Sequence, residues 1–230
     1  MASNPKPEIE DAPVTAMQRA CMHKRIRDVL VTRILDGTYP PEFRFKELTL
    51  AREFDVSQGP VREALRELEA LGLVTSEHYR GTRVRGVDVN EMREAYELRA
   101  MIEAQAAELV AASHAPEVLD FLEQQLEELR LAIDAHDDER LAVAALGFHR
   151  KLVEASGNRT FLNTWDGFHW DVRARVTLRR IVTHHGHVNS AYATHVEILD
   201  RLRAGDGAGA AAAVHKNFAL FIGMLKATEA

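Results

Sequence analysis

Cysteine is almost missing from this 230-residue chain. Cys21 stands alone, which excludes an intramolecular disulfide framework and favours a reducing compartment. No apolar run approaches the ~18 residues that a membrane-spanning helix needs, so no membrane partner is expected. The opening stretch MASNPKPEIEDAPVTA lacks the apolar core of a signal peptide. Its three prolines and scattered charges predict a disordered leader over residues 1–16, and the protein reads as cytoplasmic. Proline is scarce beyond the front: six of seven lie at or before Pro60, and none follows Pro116. Catalytic signatures are missing too. There is no HExxH, no nucleophile elbow, no phosphate loop and no paired catalytic carboxylates. An enzyme is not expected.

The apolar fraction of 46% suffices for a real core. Net charge is −6, unevenly spread: residues 1–85 carry 14 Lys and Arg against 13 Asp and Glu, and residues 86–230 carry 15 against 22. Eleven of the front segment's basic residues are arginines, which suit phosphate and base edges better than lysines do.

From Val89 onward the chain reads as six amphipathic helices and no strand: 90–112, 116–135, 138–156, 160–182, 190–204 and 206–227. Asp88 and Glu91 open the first as a capping box, and Gly157-Asn158 closes the third. An all-helical antiparallel bundle follows over 87–230.

Residues 17–86 differ. A helix over 18–35 ends at Asp36-Gly37, and a short helix over 48–54 precedes DVSQGPVREALRELEALGLV. In that stretch Val61, Ala64, Leu65, Leu68 and Leu71 recur at helical spacing. Ser57 is placed to cap the helix, Pro60 sits in its first turn, and Asp55 suits a left-handed turn position. Two β-prone stretches, 73–76 and 82–84, then flank His78-Tyr79-Arg80-Gly81. Two short helices, a tight turn and a hairpin make a winged helix-turn-helix, so the fold class is mostly α.

The run Ile34-Leu35-Asp36-Gly37-Thr38-Tyr39-Pro40-Pro41, Leu50-Ala51, Val56-Ser57, Pro60-Val61-Arg62-Glu63-Ala64-Leu65, Leu68, Gly72-Leu73-Val74 and Arg80-Gly81 resembles the DNA-binding domain of GntR-family transcription regulators. Glu97-Leu98-Arg99, Glu103, Phe148-His149, Ser156-Gly157-Asn158, His195 and Asp206 resemble the FCD ligand-binding domain of the FadR-type branch. The resemblance implies a homodimeric regulator, a repressor by family habit, with a small-carboxylate effector and double-stranded operator DNA as partners. It places Ser57, Gln58, Gly59, Pro60, Arg62 and Arg66 on the reading helix, with His78, Arg80, Gly81 and Thr82 on the minor groove. Arg62 would hold either a guanine edge or a phosphate. Many relatives carry Arg-Thr where this chain has Gln58-Gly59, so no operator sequence transfers.

Arg99 shares a stripe with Met92, Ala95, Ile102, Ala106 and Leu109, so it points inward and needs a counterion. That partner is Glu103 or a bound anion, and the resemblance favours the anion. His149 and His195 are inward by periodicity and match FCD metal positions, while Arg173 and Asn217 complete the expected effector site. The metal set is incomplete. Family members that bind metal carry Asp and His where this chain has Ala145 and Asn217, so zinc or nickel is disfavoured. His184-His185-Gly186-His187 reads as a solvated loop, and the alanines of 208–213 as helix propensity. The rivals are a metal-dependent enzyme using His149 and His195, and an architectural DNA binder.

Overall fold

The computed structural model describes residues 16–77, 81–85, 88–113, 115–186 and 190–228. The chain divides into two compact units, residues 1–85 and 86–230.

In the first unit, α1 (Ala16–Leu35) buries Ile26, Leu30 and Val31 against α3 (Gln58–Ala70), which turns Val61, Ala64, Leu65 and Leu68 inward. Arg27 is buried between them, held by Asp28 Oδ1 and by Glu67 Oε2 at 3.2 Å. The α1 helix begins two residues before the expected start; most of the expected leader lies outside the described residues.

Between α2 (Glu47–Glu53) and α3 the turn is tight because Asp55 adopts φ 52°. There Val56 N donates to Ala51 O at 2.9 Å and Asp55 N to Arg52 O at 3.4 Å, the paired bonds of a Schellman ending. Gly72, at φ 72°, ends α3 in the same way and feeds the chain into β2 (Val74–Glu77). The hairpin partner is β3 (Gly81–Val84), with Val74 opposite Val84 and Glu77 opposite Gly81. A third strand, β1 (Arg44–Phe45), pairs antiparallel with β3, giving the order β1-β3-β2. Two residues are too short for alternation to show, so the sequence reading missed it.

The second unit is all helical among its described residues: α4 (Val89–Ser113), α5 (Pro116–Ala135), α6 (Asp138–Ala155), α7 (Arg159–Gly167), α8 (Trp170–His185), α9 (Ser190–Arg203) and α10 (Gly207–Ala227). The fourth expected helix is in fact two, α7 and α8, because His169 adopts a left-handed φ of 51° and breaks the ladder. His184 and His185 also depart from expectation. They form the last turn of α8 rather than a loop, and His185 Nε2 lies 2.9 Å from Met224 O. His187 lies outside the described residues.

Caps set the helix starts. Asp88 Oδ1 accepts from Asn90 and Glu91 N, Asp137 from Arg140 N, Asn158 from Thr160 and Phe161 N, and Asp206 from Gly209 N. α4 runs through the middle of the bundle, packed on α10, α6, α9 and α7. α10 alone among the described helices has the length and hydropathy of a membrane span. It packs along α4 and α9, burying Ala210, Ala213, Val214, Asn217 and Phe218.

Candidate functional site

Two sites were expected, and each lies within one unit. On the first, Ser57 is the N-cap residue of α3, with extended backbone but no side-chain capping bond. Gly59 and Arg66 are exposed, and Arg66 pairs with Glu63 at 2.8 Å on the same helix. The Arg62 side chain is 55% exposed on the first turns of α3, and it is not loose. Its Nε donates to Glu47 Oε2 at 2.6 Å, and its Nη2 donates to Gln58 Oε1 at 3.1 Å. Glu47 is the first residue of α2, where a carboxylate also meets the positive end of the helix dipole.

The wing is only partly visible. His78 and Arg80 lie outside the described residues. Gly81 is exposed, with φ 80°. Thr82 is buried, its hydroxyl 3.1 Å from Ser76 Oγ across the hairpin.

In the bundle, α4 supplies Arg99 and Glu103, 3% and 0% exposed. One helical turn apart, they pair through Arg99 Nε and Glu103 Oε1 at 2.6 Å. Glu103 also takes a bond from Trp165 Nε1 at 2.9 Å and meets His149 Nδ1 at 2.5 Å. Burial alone would raise this carboxyl. The Arg99 guanidinium and His149 outweigh it and hold the group at about 2. Burial pushes the His149 imidazole down, so it is neutral near neutral pH.

The hydrogen positions follow from that ionisation. An ionised Glu103 can only accept, so His149 Nδ1 carries the proton and Nε2 is left as an acceptor. His195 Nε2, 3.1 Å away, must then donate to it. His195 Nδ1 accepts in turn from Asn217 Nδ2 at 3.3 Å, and the same amide donates to Thr194 Oγ1 at 2.7 Å. A single chain of neutral groups therefore runs from α10 through α9 and α6 to the carboxylate on α4.

A cavity of about 70 Å³ opens on this chain, several times the ~10–15 Å³ that one water requires. Its polar end is Arg99, His149, Thr194, His195 and Asn217, and its walls are apolar, among them Leu129, Leu141, Leu178 and Phe221. The guanidinium of Arg99 lies 4.9 Å from the Trp170 ring centre, 5.1 Å from Phe218 and 5.3 Å from Trp165. Arg99 Nη2 is buried and, among the described residues, has no hydrogen-bond partner.

The structure thus brings together Arg99, His149, His195 and Asn217, and leaves Arg173 out. From α8 the cavity takes Ala174 and Leu178, whereas Arg173 Nε donates to Phe168 O at 3.0 Å across the α7–α8 break. The residue the sequence reading undervalued is Glu103, named there as part of the family resemblance and as a possible counterion but not as a site residue. Its i, i+4 spacing from Arg99 was visible; the approach of His149 and Trp165 was not.

A divalent metal does not fit these residues. Two imidazole nitrogens face each other, but Ala145 offers no donor, and the Asn217 amide points a donor at His195. Glu103 sits behind His149, on Nδ1, where it can orient the ring but not ligate beside Nε2. Among the described residues no three His, Cys, Asp or Glu side chains converge as a metal set.

Residues 22–84 match the model of bacterial regulatory proteins of the gntR family, and residues 94–219 match the FCD domain. The chain is 33% identical over 199 residues, 85% of each chain, to the probable D-xylose utilization operon transcriptional repressor of Paenarthrobacter nicotinovorans. It is 27% identical over 154 residues to the gluconate operon transcriptional repressor of Bacillus licheniformis, covering 67% of this chain and 63% of that one. The structure of E. coli McbR/YncC superposes with a TM-score of 0.72 at 20% identity, over 91% of this chain and 99% of that chain. That last likeness shows the fold alone.

Proposed function

The chain belongs to the gntR family as a DNA-binding transcriptional regulator with an FCD domain, and on that premise we propose that its bundle senses a small carboxylate. Binding of the acid changes the affinity of a cytoplasmic homodimer for operator DNA. The observation that carries the reading is Arg99 Nη2, a buried cationic donor left without a partner beside a cavity of about 70 Å³. Glu103 already accepts from Arg99 Nε, His149 Nδ1 and Trp165 Nε1, and none of its bonds is to Arg99 Nη2. A carboxylate entering the cavity would satisfy it, with Thr194, His195 and Asn217 lining the same polar end. One relative is named for the gluconate operon, and gluconate is a carboxylate, whereas another is named for D-xylose utilization, and xylose is an uncharged sugar.

The pocket works without metal, because His149 and His195 spend their Nε2 atoms on each other. Two chains are needed because one small winged helix reads too few bases, and paired half-sites supply the rest. The acid acts by binding one arrangement of the DNA-binding heads better than the other, and repression relieved by a metabolite is the expected sense. The enzyme reading falls with the family, whose members are regulators.

A thermal-shift screen of small carboxylates and sugar acids in excess chelator tests this proposal. Hits are then added to the protein bound to a labelled duplex. At least one acid should raise the midpoint and change DNA affinity. A screen in which only metal-supplemented samples respond would refute the metal-independent pocket.

A further inference from the structure

The contact between Arg62 and Glu47 bears on how the operator is read. Arginine presents four of its five protons on two edges. The side edge carries the Nε proton and one Nη2 proton, and the end edge carries one proton from each Nη. Here Nε, on the side edge, donates to Glu47 Oε2 at 2.6 Å, and Nη2 donates one proton to Gln58 Oε1 at 3.1 Å. Among the described residues nothing else bonds Arg62, so Nη1 and the second Nη2 proton are open on a side chain that is 55% exposed.

Resting on the DNA-binding reading, we infer that Glu47 is a specificity-determining residue that holds Arg62 with its end edge outward, to read the O6 and N7 atoms of a guanine. Three observations support this over a phosphate contact. The Arg62–Glu47 pair is neutral overall, so it adds little of the long-range attraction that draws a lone cation to phosphate. A carboxylate 2.6 Å from the arginine would also stand close to any phosphate bound there, and like charges repel. A guanine edge is an uncharged pair of acceptors in fixed geometry, and fixing the fork beforehand lowers the cost of meeting it. Glu47 comes from α2 and Arg62 from α3, so the tight turn at Asp55 sets their register. Gln58, where many relatives carry arginine, is the second brace on the guanidinium.

The test is selection from a duplex library with a randomised core, run on the full chain as wild type, Arg62→Ala, Glu47→Ala and Glu47→Gln. Wild type should enrich paired half-sites with one guanine that Arg62→Ala no longer selects. Glu47→Ala should weaken that guanine preference roughly ten- to a hundredfold while leaving the other positions intact. It should bind a scrambled duplex at least as tightly as wild type, with a steeper salt dependence. Glu47→Gln keeps an acceptor for Nε, so its preference should fall between the two. If Glu47→Ala selects the wild-type motif unchanged, or Arg62→Ala weakens all sequences alike, Arg62 is a phosphate anchor and the inference is wrong. If wild type enriches no motif, the DNA-binding reading itself fails. Arg62 is exposed and Glu47 half-buried, and unchanged circular dichroism separates a reading defect from an unfolded one.

Discussion

Each unit of this molecule carries an arginine whose Nε donates to a glutamate at 2.6 Å, and the two pairs do opposite work. In the DNA-binding head, Arg62 and Glu47 are 55% and 37% exposed, and water screens them. Such a pair adds little stability, so Glu47 can aim Arg62 toward DNA without the fold depending on it. In the bundle, Arg99 and Glu103 are 3% and 0% exposed, sealed by aromatic rings. There the charges cannot be separated cheaply, and every remaining hydrogen bond counts. The same chemistry is thus a steering device at the surface and a structural commitment in the core. The unpaired Nη2 of the buried member matters for that reason.

The contrast breaks most clearly at Glu103. Glu103→Ala leaves Arg99 buried without its counterion, and we expect a loss of about 3–5 kcal/mol in denaturant unfolding. Glu47→Ala should leave the same curve where it is. Equal effects would mean that burial does not separate the two pairs.

Acid should sharpen the picture. Burial holds His149 below its ordinary 6.5, and Glu103 sits at about 2 against an ordinary 4.5. Both values are depressed in the folded chain, so the unfolded chain takes up protons first and stability falls with pH. It is full above pH 6.5. The first decline starts there, as unfolded His149 titrates. A second runs from 4.5 to about 2 and is worth about 3 kcal/mol. Urea midpoints measured across this range check both steps, and His149→Gln should flatten the first.

Arg62→Ala comes next in size. It should lower affinity for a selected duplex by about 1–3 kcal/mol per half-site and leave the melting temperature unchanged. Anisotropy and thermal melts read the two separately. Smallest is Asp55→Gly. A left-handed residue costs ~1–2 kcal/mol, and glycine returns ~0.5–1 kcal/mol of that as chain entropy. The net gain, near 0.5 kcal/mol, should appear as a slightly higher melting temperature with α2 and α3 still in register.

How much of this was legible follows from the range of each signal. Helical periodicity is local, so α4 through α6 fell within a residue or two of expectation, and inward Arg99, His149 and His195 could be named. The turn at Asp55 was readable because the left-handed residue types are few. The split at His169 was not. The apolar stripe runs on through Trp165, Trp170 and Val172, across the break. The convergence on Glu103 joins residues 46 and 62 positions apart, which no local pattern reports. The placement of Thr82 and Arg173 was hidden for the same reason: their side chains bond Ser76 and the Phe168 carbonyl, partners that spacing does not reveal.

The most direct measurement compares a small carboxylic acid that stabilises the protein with its own primary amide, in excess chelator, on the wild-type chain. The two differ in charge and hardly in shape, so they isolate the open donor of Arg99. At a hundred times its dissociation constant the acid should add about 2.7 kcal/mol, seen as a raised melting midpoint, while the amide adds little. An amide that stabilises as well as the acid, or an acid that acts only when zinc is restored, would contradict a metal-independent carboxylate sensor built on Arg99.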